Sequence, residues 1–275
     1  MINIFNYIDR PSPIHRLTGA TKLVCLLLWS FSAMVTYDTR ILVLMPVVSL
    51  LLFAVSKIRL RDIQAVFWVT FVFMLLNNLT VYLFGPEHGV GIYGSRTVLL
   101  TIAGPYTITK EQLFYHFNLV LKYFASIPVL LLFVCTTDPS EFAASLNRIG
   151  VSYRVSYSVA LALRYIPDIQ RSYHDISQSQ QARGIEMSKK ESLIKRLKAA
   201  SAILIPLILS SMDRIEVISN AMELRGFGKG KKRTWYRARP FRAADVVCMT
   251  LCALLLIAAV ADTLVHGTRY YNPFG

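Results

Sequence analysis

The sequence predicts an all-α polytopic membrane protein, with about five transmembrane helices and a domain of amphipathic helices on the cytoplasmic side. Three observations carry that prediction. Of 275 residues, 54% are hydrophobic, and they stand in uninterrupted blocks rather than in the spaced stripes of helices half in water. The net charge of +14 is sorted sharply among the connections between those blocks. Two long stretches in the second half of the chain do show helical stripes, with polar residues opposite the apolar ones.

Residues 23–35, 41–55 and 65–76 hold no charged side chain. Each extends with neutral neighbours toward about 17 to 22 residues, enough to cross about 30 Å of hydrocarbon as helix. A fourth block, 114–135, contains one lysine, Lys122, and a fifth covers 246–261. A secretory signal competes for the first 35 residues. The apolar run begins only after about 22 residues, lacks a small-residue cleavage site and meets another block at once, so an uncleaved first span is expected. Lys122 is costly within a span unless it snorkels outward or finds a polar partner on a neighbouring span or subunit. Asn77 and Asn78, near the end of the third span, are expected to bond neighbouring helices, and the Asn-Leu-Thr sequon there is not read as a glycan site. Residues 85–113 alternate β-branched and aromatic residues between Gly and Gly-Pro turn signals, which predicts a short hairpin.

Orientation follows from charge. Residues 136–242 carry 19 of the 30 Lys and Arg against 9 of the 16 acids, whereas the only bases in 85–113 are Arg96 and Lys110. Together with the basic connection at 57–62, positive-inside sorting puts the N-terminus, that connection and 136–242 in the cytoplasm. Residues 85–113 and the C-terminal end then lie outside. The expected organisation is a four-span membrane region over 1–135, a cytoplasmic domain over 136–242, and a last span with an external C-terminus over 243–275.

Within the cytoplasmic segment, Thr137 or Asp138 offers a helix cap, Pro139 the first helical position, Glu141 a first-turn acid and Gly150 a stop. Residues 151–182 place Val159, Leu163, Ile166, Ile169, Tyr173 and Ile176 three or four apart, against Gln170, Arg171, Asp175 and Gln178, as an amphipathic helix does. A second such stretch, 199–222, begins with an uncharged run of about 12 to 13 residues, which favours an interfacial or buried helix over a span. It continues through Met212, Ile215, Ile218 and Met222, with Asp213, Arg214, Glu216 and Asn220 off that face. Pro167 and Pro206 are expected to kink or divide these helices. At about 1.5 Å per residue each reaches about 40 Å if continuous, so the pair is expected to lie along the membrane surface or to cross beneath it.

Both stretches end in Arg-Gly, as Ala182-Arg183-Gly184 and Leu224-Arg225-Gly226. Local chemistry accounts for each end: Gly184 and Gly226 as left-handed caps, and Arg183 and Arg225 meeting the negative ends of the helix dipoles, worth a few tenths to about 1 kcal/mol. Repetition on consecutive helices admits a second reading. A permanently charged guanidinium at the tip of a rigid rod can engage the carboxylates or carbonyls of a partner, and two rods invite two partners.

Several functions have no counterpart in the sequence. The Gly-rich stretch 226–233 lacks the G-x-x-x-x-G-K-[ST] spacing of a phosphate cradle, and neither H-E-x-x-H nor G-x-S-x-G occurs. His15, His88, His116, His174 and His266 are too scattered to imply a metal site. Cys25, Cys135, Cys248 and Cys252 fall in or at the ends of apolar blocks, where they behave as small hydrophobes rather than as a disulfide or zinc framework. No catalytic residue, metal or cofactor is therefore expected. The run 229–242 holds seven bases and no acid, with Trp235 and Tyr236 between them. Beside a span it reads as an anchor on anionic membrane lipid, and no nucleic-acid partner is expected.

These residues carry a resemblance over nearly the whole chain. The stretches S-P-I-H-R-L-T-G-A-T-K-L at 12–23, T-T-D-P-S-E-F-A-A-S-L-N-R-I-G at 136–150, L-A-L-R-Y-I-P-D-I at 161–169, Q-A-R-G-I-E at 181–186 and A-M-E-L-R-G-F-G at 221–228 resemble the transmembrane T component of energy-coupling factor transporters. That family includes membrane subunits of vitamin and of cobalt or nickel uptake systems. Its members often have Asp-Pro where this chain has Thr18-Gly19, and Ala or Ser where it has Leu224. The resemblance implies the scaffold of an ABC-type importer in the bacterial plasma membrane, not an enzyme by itself, with 136–242 as its coupling domain. It implies that one ATP-binding cassette ATPase subunit meets Ala182, Arg183 and Gly184 and a second meets Leu224, Arg225 and Gly226. It also implies a small membrane subunit that holds the substrate, a vitamin or other micronutrient. Two rivals fit less well. The permease of a conventional ABC importer carries a long E-A-A-type cytoplasmic loop, which is missing, and a lipid-modifying membrane enzyme needs acids or histidines clustered at one depth.

Overall fold

The structure, a computed structural model, describes residues 12–103, 106–185, 193–230, 234–235 and 239–274. The helices are α1 (Gly19–Val35), α2 (Thr39–Val55), α3 (Leu60–Phe84), α4 (His88–Tyr93), α5 (Lys110–Thr136), α6 (Pro139–Arg148), α7 (Tyr153–Ala182), α8 (Leu193–Leu224) and α9 (Ala243–His266), with strands β1 (Val98–Ala103) and β2 (Tyr106–Thr109) between α4 and α5. The chain is nearly all helical and forms two compact units, Met1–Ser145 with Arg239–Gly275, and Leu146–Ala238.

In the first unit α5 is the central post, touching α1, α2, α3 and α4, while α1 also packs along α9. The five apolar blocks become five apolar helices. Three are long and apolar enough to cross a membrane: Ile63–Phe84, Lys110–Thr136 and Ala243–His266. The other two, α1 and α2, have 17 residues each, which at 1.5 Å per residue is about 26 Å, the lower end of what spans hydrocarbon. Two cores hold the unit: Phe53, Ile58, Ile63, Leu131, Leu132 and Cys135 in one, and Trp29, Ala33, Met45 and Ala125 in the other. Much of the remaining apolar surface faces outward, with Val69 72% exposed, as expected of helices solvated by lipid.

Pro128 lies inside α5 without ending it. Its missing N–H deprives the Phe124 carbonyl of its helical donor, and Ser49 Oγ of α2, 3.0 Å from that carbonyl and 2.9 Å from Pro46 O, shares its one proton between the two. One residue on, the Ala125 carbonyl accepts from Trp29 Nε1 of α1 at 2.9 Å. The proline defect is thereby turned into polar contacts among three helices, where lipid offers no water to do the same. Lys122 finds its partner on a neighbouring helix: Nζ donates to the Met34 carbonyl of α1 at 3.3 Å and lies 3.2 Å from the centroid of the Tyr37 ring. Asn78 makes the interhelical bond expected of its pair, with Oδ1 2.9 Å from His116 Nδ1 of α5.

The expected hairpin appears as antiparallel β1 and β2. The short α4 before it was not expected. It is held by its neighbour: Gln112 Oε1 of α5 accepts from Gly89 N at 2.7 Å, and a Cβ on Gly89 would stand 2.7 Å from the Gln112 backbone. The C-terminal tail folds back on the same unit, with Tyr37 N donating to Arg269 O at 2.9 Å and Asn272 Nδ2 to Tyr93 O at 3.1 Å.

In the second unit α7 and α8 are 30 and 32 residues long and continuous. Neither Pro167 nor Pro206 divides its helix, contrary to one of the two outcomes expected of them. For Pro206 the reason is visible. The carbonyl it frees, Ala202 O, accepts from Gln180 Nε2 of α7 at 3.2 Å, so the lost helical bond is replaced across the pair.

Candidate functional site

The helices α7 and α8 run antiparallel. The start of α7 meets the end of α8 through ring contacts of Tyr153 and Tyr157 with Phe227, at 5.8 and 4.9 Å between centroids. Its far end meets the first half of α8 through the Gln180 bond to Ala202. The two Arg-Gly endings are therefore held apart, one at each end of the pair, and do not form a common cluster.

Both endings adopt one geometry. After α7, Gly184 N donates to Gln181 O at 2.9 Å and Ile185 N to Gln180 O at 3.1 Å, with Gly184 at φ +84°. After α8, Gly226 N donates to Glu223 O at 2.8 Å and Phe227 N to Met222 O at 2.9 Å, with Gly226 at φ +68°. These paired bonds are the Schellman ending, which satisfies the orphan carbonyls of the last turn and needs a residue tolerant of positive φ. The local reading of both glycines is thus what the structure has. The same ending closes α6, where Gly150 N donates to Asn147 O, Val151 N to Leu146 O, and Gly150 has φ +107°. There the position taken by Arg183 and Arg225 is held by Ile149, so the motif itself has no need of arginine.

Ala182, Arg183, Leu224 and Arg225 are exposed. Leu224 is the extreme case at 90%, an apolar side chain standing in the open beside a guanidinium. The end at Arg225 is also braced in a way the sequence reading missed. Trp235 joins Tyr153 and Tyr157 around Phe227, with its ring 5.4 Å from that of Tyr153, and its Nε1 donates to Asn147 Oδ1 at 3.1 Å. Arg154 Nη2 donates to Gly228 O at 3.3 Å. Tyr153 and Tyr157, four apart on one helix face, were the local half of that signal; Phe227 and Trp235 come from 70 to 82 residues away. Between the helices lies a groove of about 630 Å³ lined in part by Leu161, Tyr165, Ile169, Arg214, Ile215 and Ile218. Of the basic run 229–242, residues 231–233 and 236–238, Tyr236 among them, lie outside the described residues. Among the described residues no group of three or more His, Cys, Asp or Glu is placed to hold a metal ion.

The family model CbiQ, described as cobalt transport protein, matches residues 10–236. A protein of Leuconostoc gelidum subsp. gasicomitatum named energy-coupling factor transporter transmembrane protein EcfT is 27% identical over 290 residues, 97% of this chain and 99% of that one. A Bacillus selenitireducens protein of the same name is 27% identical over 275 residues, 97% of this chain and 98% of its own. A putative ABC transporter ATP-binding protein of Bifidobacterium longum is 25% identical over 259 residues, 91% of this chain but 32% of its own length. A match that begins ahead of α1 and runs past both helix endings covers every helix but α9 rather than one motif, and this chain belongs to the CbiQ family, as a transmembrane component of a transporter.

Proposed function

We propose that this protein is the T subunit of an energy-coupling-factor ABC importer, coupling ATP hydrolysis by two partner ATPases to uptake of a vitamin or other micronutrient held by a small membrane subunit. The observation that carries the reading is the excess of arginine over what the helix endings require. One Schellman ending is complete with Ile149, so the backbone bonds of the ending do not themselves call for Arg183 or Arg225. Their exposure at opposite ends of a rigid antiparallel pair suits two separate partners. That a protein named an ATP-binding protein of an ABC transporter contains a segment like this chain in about a third of its length supports ATPases as those partners.

In this reading Ala182, Arg183 and Gly184 receive one ATPase and Leu224, Arg225 and Gly226 the other, each guanidinium engaging carboxylates or carbonyls with its planar fork. The N-terminus and residues 136–242 are cytoplasmic, as the sorting of Lys and Arg supports, and the basic run 229–242 rests on anionic lipid. When the ATPases close on ATP, the two endings follow them, α7 and α8 change their mutual angle, and the favoured state of the substrate subunit shifts.

The test is Arg183→Ala, Arg225→Ala and the double change, scored by ATPase co-purification in mild detergent and by uptake of labelled cobalt(II) and a panel of labelled B vitamins. Loss of a charge-assisted contact that leaves a buried carboxylate unpaired costs about 2 to 5 kcal/mol. Each single change is expected to weaken assembly or uncouple uptake, the double change more than either, and Arg→Lys to rescue poorly. Retention of both ATPases and of uptake by the double variant, at normal abundance, returns both endings to the role of helix caps.

A further inference from the structure

The chain passes between its two units twice, after Ser145 and before Arg239. On the side of the first unit both passages are tied to the same short segment, residues 12–22. At the first, Glu141 Oε1 of α6 accepts from Gly19 N at 2.8 Å. The approach is so close that a Cβ on Gly19 would stand 2.6 Å from Ser145 Oγ and 2.7 Å from Glu141 Cγ. At the second, Arg239 Nη1 donates to His15 O at 3.3 Å, and Asp245 Oδ1, in the first turn of α9, accepts from Thr18 N at 2.8 Å. Between them Lys22 Nζ donates to Thr136 O, the last carbonyl of α5, at 2.7 Å. Within the segment, Ser12 Oγ and His15 Nδ1 lie 2.6 Å apart, and Thr18 caps α1 through its bond from Thr21 N.

These charges are inside the protein: Glu141 is 9% exposed, Lys22 6% and Asp245 1%. Burying two carboxylates and an ammonium is a poor way to gain stability, since apolar packing of the same volume does as well or better. What it supplies is a fixed geometry. The first amides of α1 favour anions there, and Glu141 Oε1 and Asp245 Oδ1 each accept from one of the backbone amides at its start.

We propose that residues 12–22 form a clamp that holds the chain at both of its passages between the units, with Glu141 and Asp245 as positioning residues for transport. Motion of α7 and α8 then reaches the spans through connections anchored at their roots, instead of being lost as slack in them. The functional consequence rests on the coupling role proposed above; the clamp itself does not. The Gly19 N–H belongs to the same device. It is a donor that proline at this position would not have, and it meets Glu141.

Two measurements separate the ideas. Hydrogen exchange at the Thr18 and Gly19 amides reads the clamp with no ATPase present. Slow exchange is expected in the unmodified protein, and at least tenfold faster exchange at Gly19 in Glu141→Ala; fast exchange in the unmodified protein overturns the clamp. In the assembled transporter, Glu141→Ala is expected to keep both ATPases and their hydrolysis but to lower uptake per ATP hydrolysed by tenfold or more, on the same labelled cobalt(II) and B vitamins. Glu141→Gln keeps an acceptor for Gly19 N and is expected to recover most of the ratio, which a simple loss of fold would not allow. Asp245→Ala removes the tie to Thr18 at the second passage and serves if Glu141→Ala is poorly made. An unchanged ratio in Glu141→Ala or Asp245→Ala, at normal abundance, overturns the positioning role. In that event the coupling role still stands provided the Arg183 and Arg225 variants lose their ATPases.

Discussion

Ile149, Arg183 and Arg225 stand at one position of one helix-ending motif, and the first shows what the motif itself requires. It requires the glycine. Gly184 and Gly226 sit at positive φ, where a Cβ costs about 1 to 2 kcal/mol, so Gly184→Ala and Gly226→Ala should each lower the thermal midpoint of the purified protein. Leu224 makes the opposite prediction. At 90% exposure it contributes no packing within this chain, so Leu224→Ala should leave the midpoint unchanged. If an ATPase pocket covers Leu224, the same change should weaken association of that ATPase by about tenfold, equivalent to about 1.4 kcal/mol. Unchanged association at that end would show Leu224 to be incidental. At this scale the sequence was informative where the chemistry is local: glycine after a helical stripe, arginine before it. The brace of Tyr153, Tyr157, Phe227 and Trp235 and the bond of Glu141 to Gly19 join residues remote in sequence, which no local pattern encodes.

Helices in this chain are defined as much by their interruptions as by their stripes. Prolines could be read from the sequence as points of weakness, but whether a helix breaks there depends on who supplies the missing donor. Ser49 supplies it for Phe124, the carbonyl freed by Pro128, and Gln180 for Ala202, the carbonyl freed by Pro206. Of the two outcomes expected at Pro206, a kink or a division, division is therefore the one that does not occur. A double-mutant cycle tests the account. Ser49→Ala should destabilise the protein by about 0.6 to 1.7 kcal/mol, the range of interhelical hydrogen bonds within a membrane. In a Pro128→Ala background α5 regains its own donor, so the same change should cost clearly less. Equal cost in both backgrounds would mean that Ser49 acts through packing alone. The helix α4 was invisible to periodicity for a related reason. Six residues with two glycines have little intrinsic tendency to be helical, and what holds them is Gln112 on another element.

For the molecule as a whole, the coupling role proposed above depends on the direction in which the chain crosses the membrane. The five apolar helices were legible from blocks of hydrophobic residues, because a span must satisfy every backbone group internally and so writes a long uncharged run. The two 17-residue helices, α1 and α2, are short enough that length alone would leave them in doubt, and their place beside α5 is a matter of packing. Orientation is written only in the charges. With 19 of 30 Lys and Arg in 136–242 and only Arg96 and Lys110 in 85–113, inversion would carry the most basic segment across the membrane, against the positive-inside bias. In a background with Cys25, Cys135, Cys248 and Cys252 replaced, single cysteines at exposed Glu87 and exposed Ser179 should therefore differ. An impermeant thiol reagent applied to intact cells is expected to label position 87 and spare position 179, with both labelled once the membrane is opened. The reverse pattern would place both Arg-Gly endings outside the cell, beyond the reach of any ATPase fed by cytoplasmic ATP, and the coupling role would fall with the orientation.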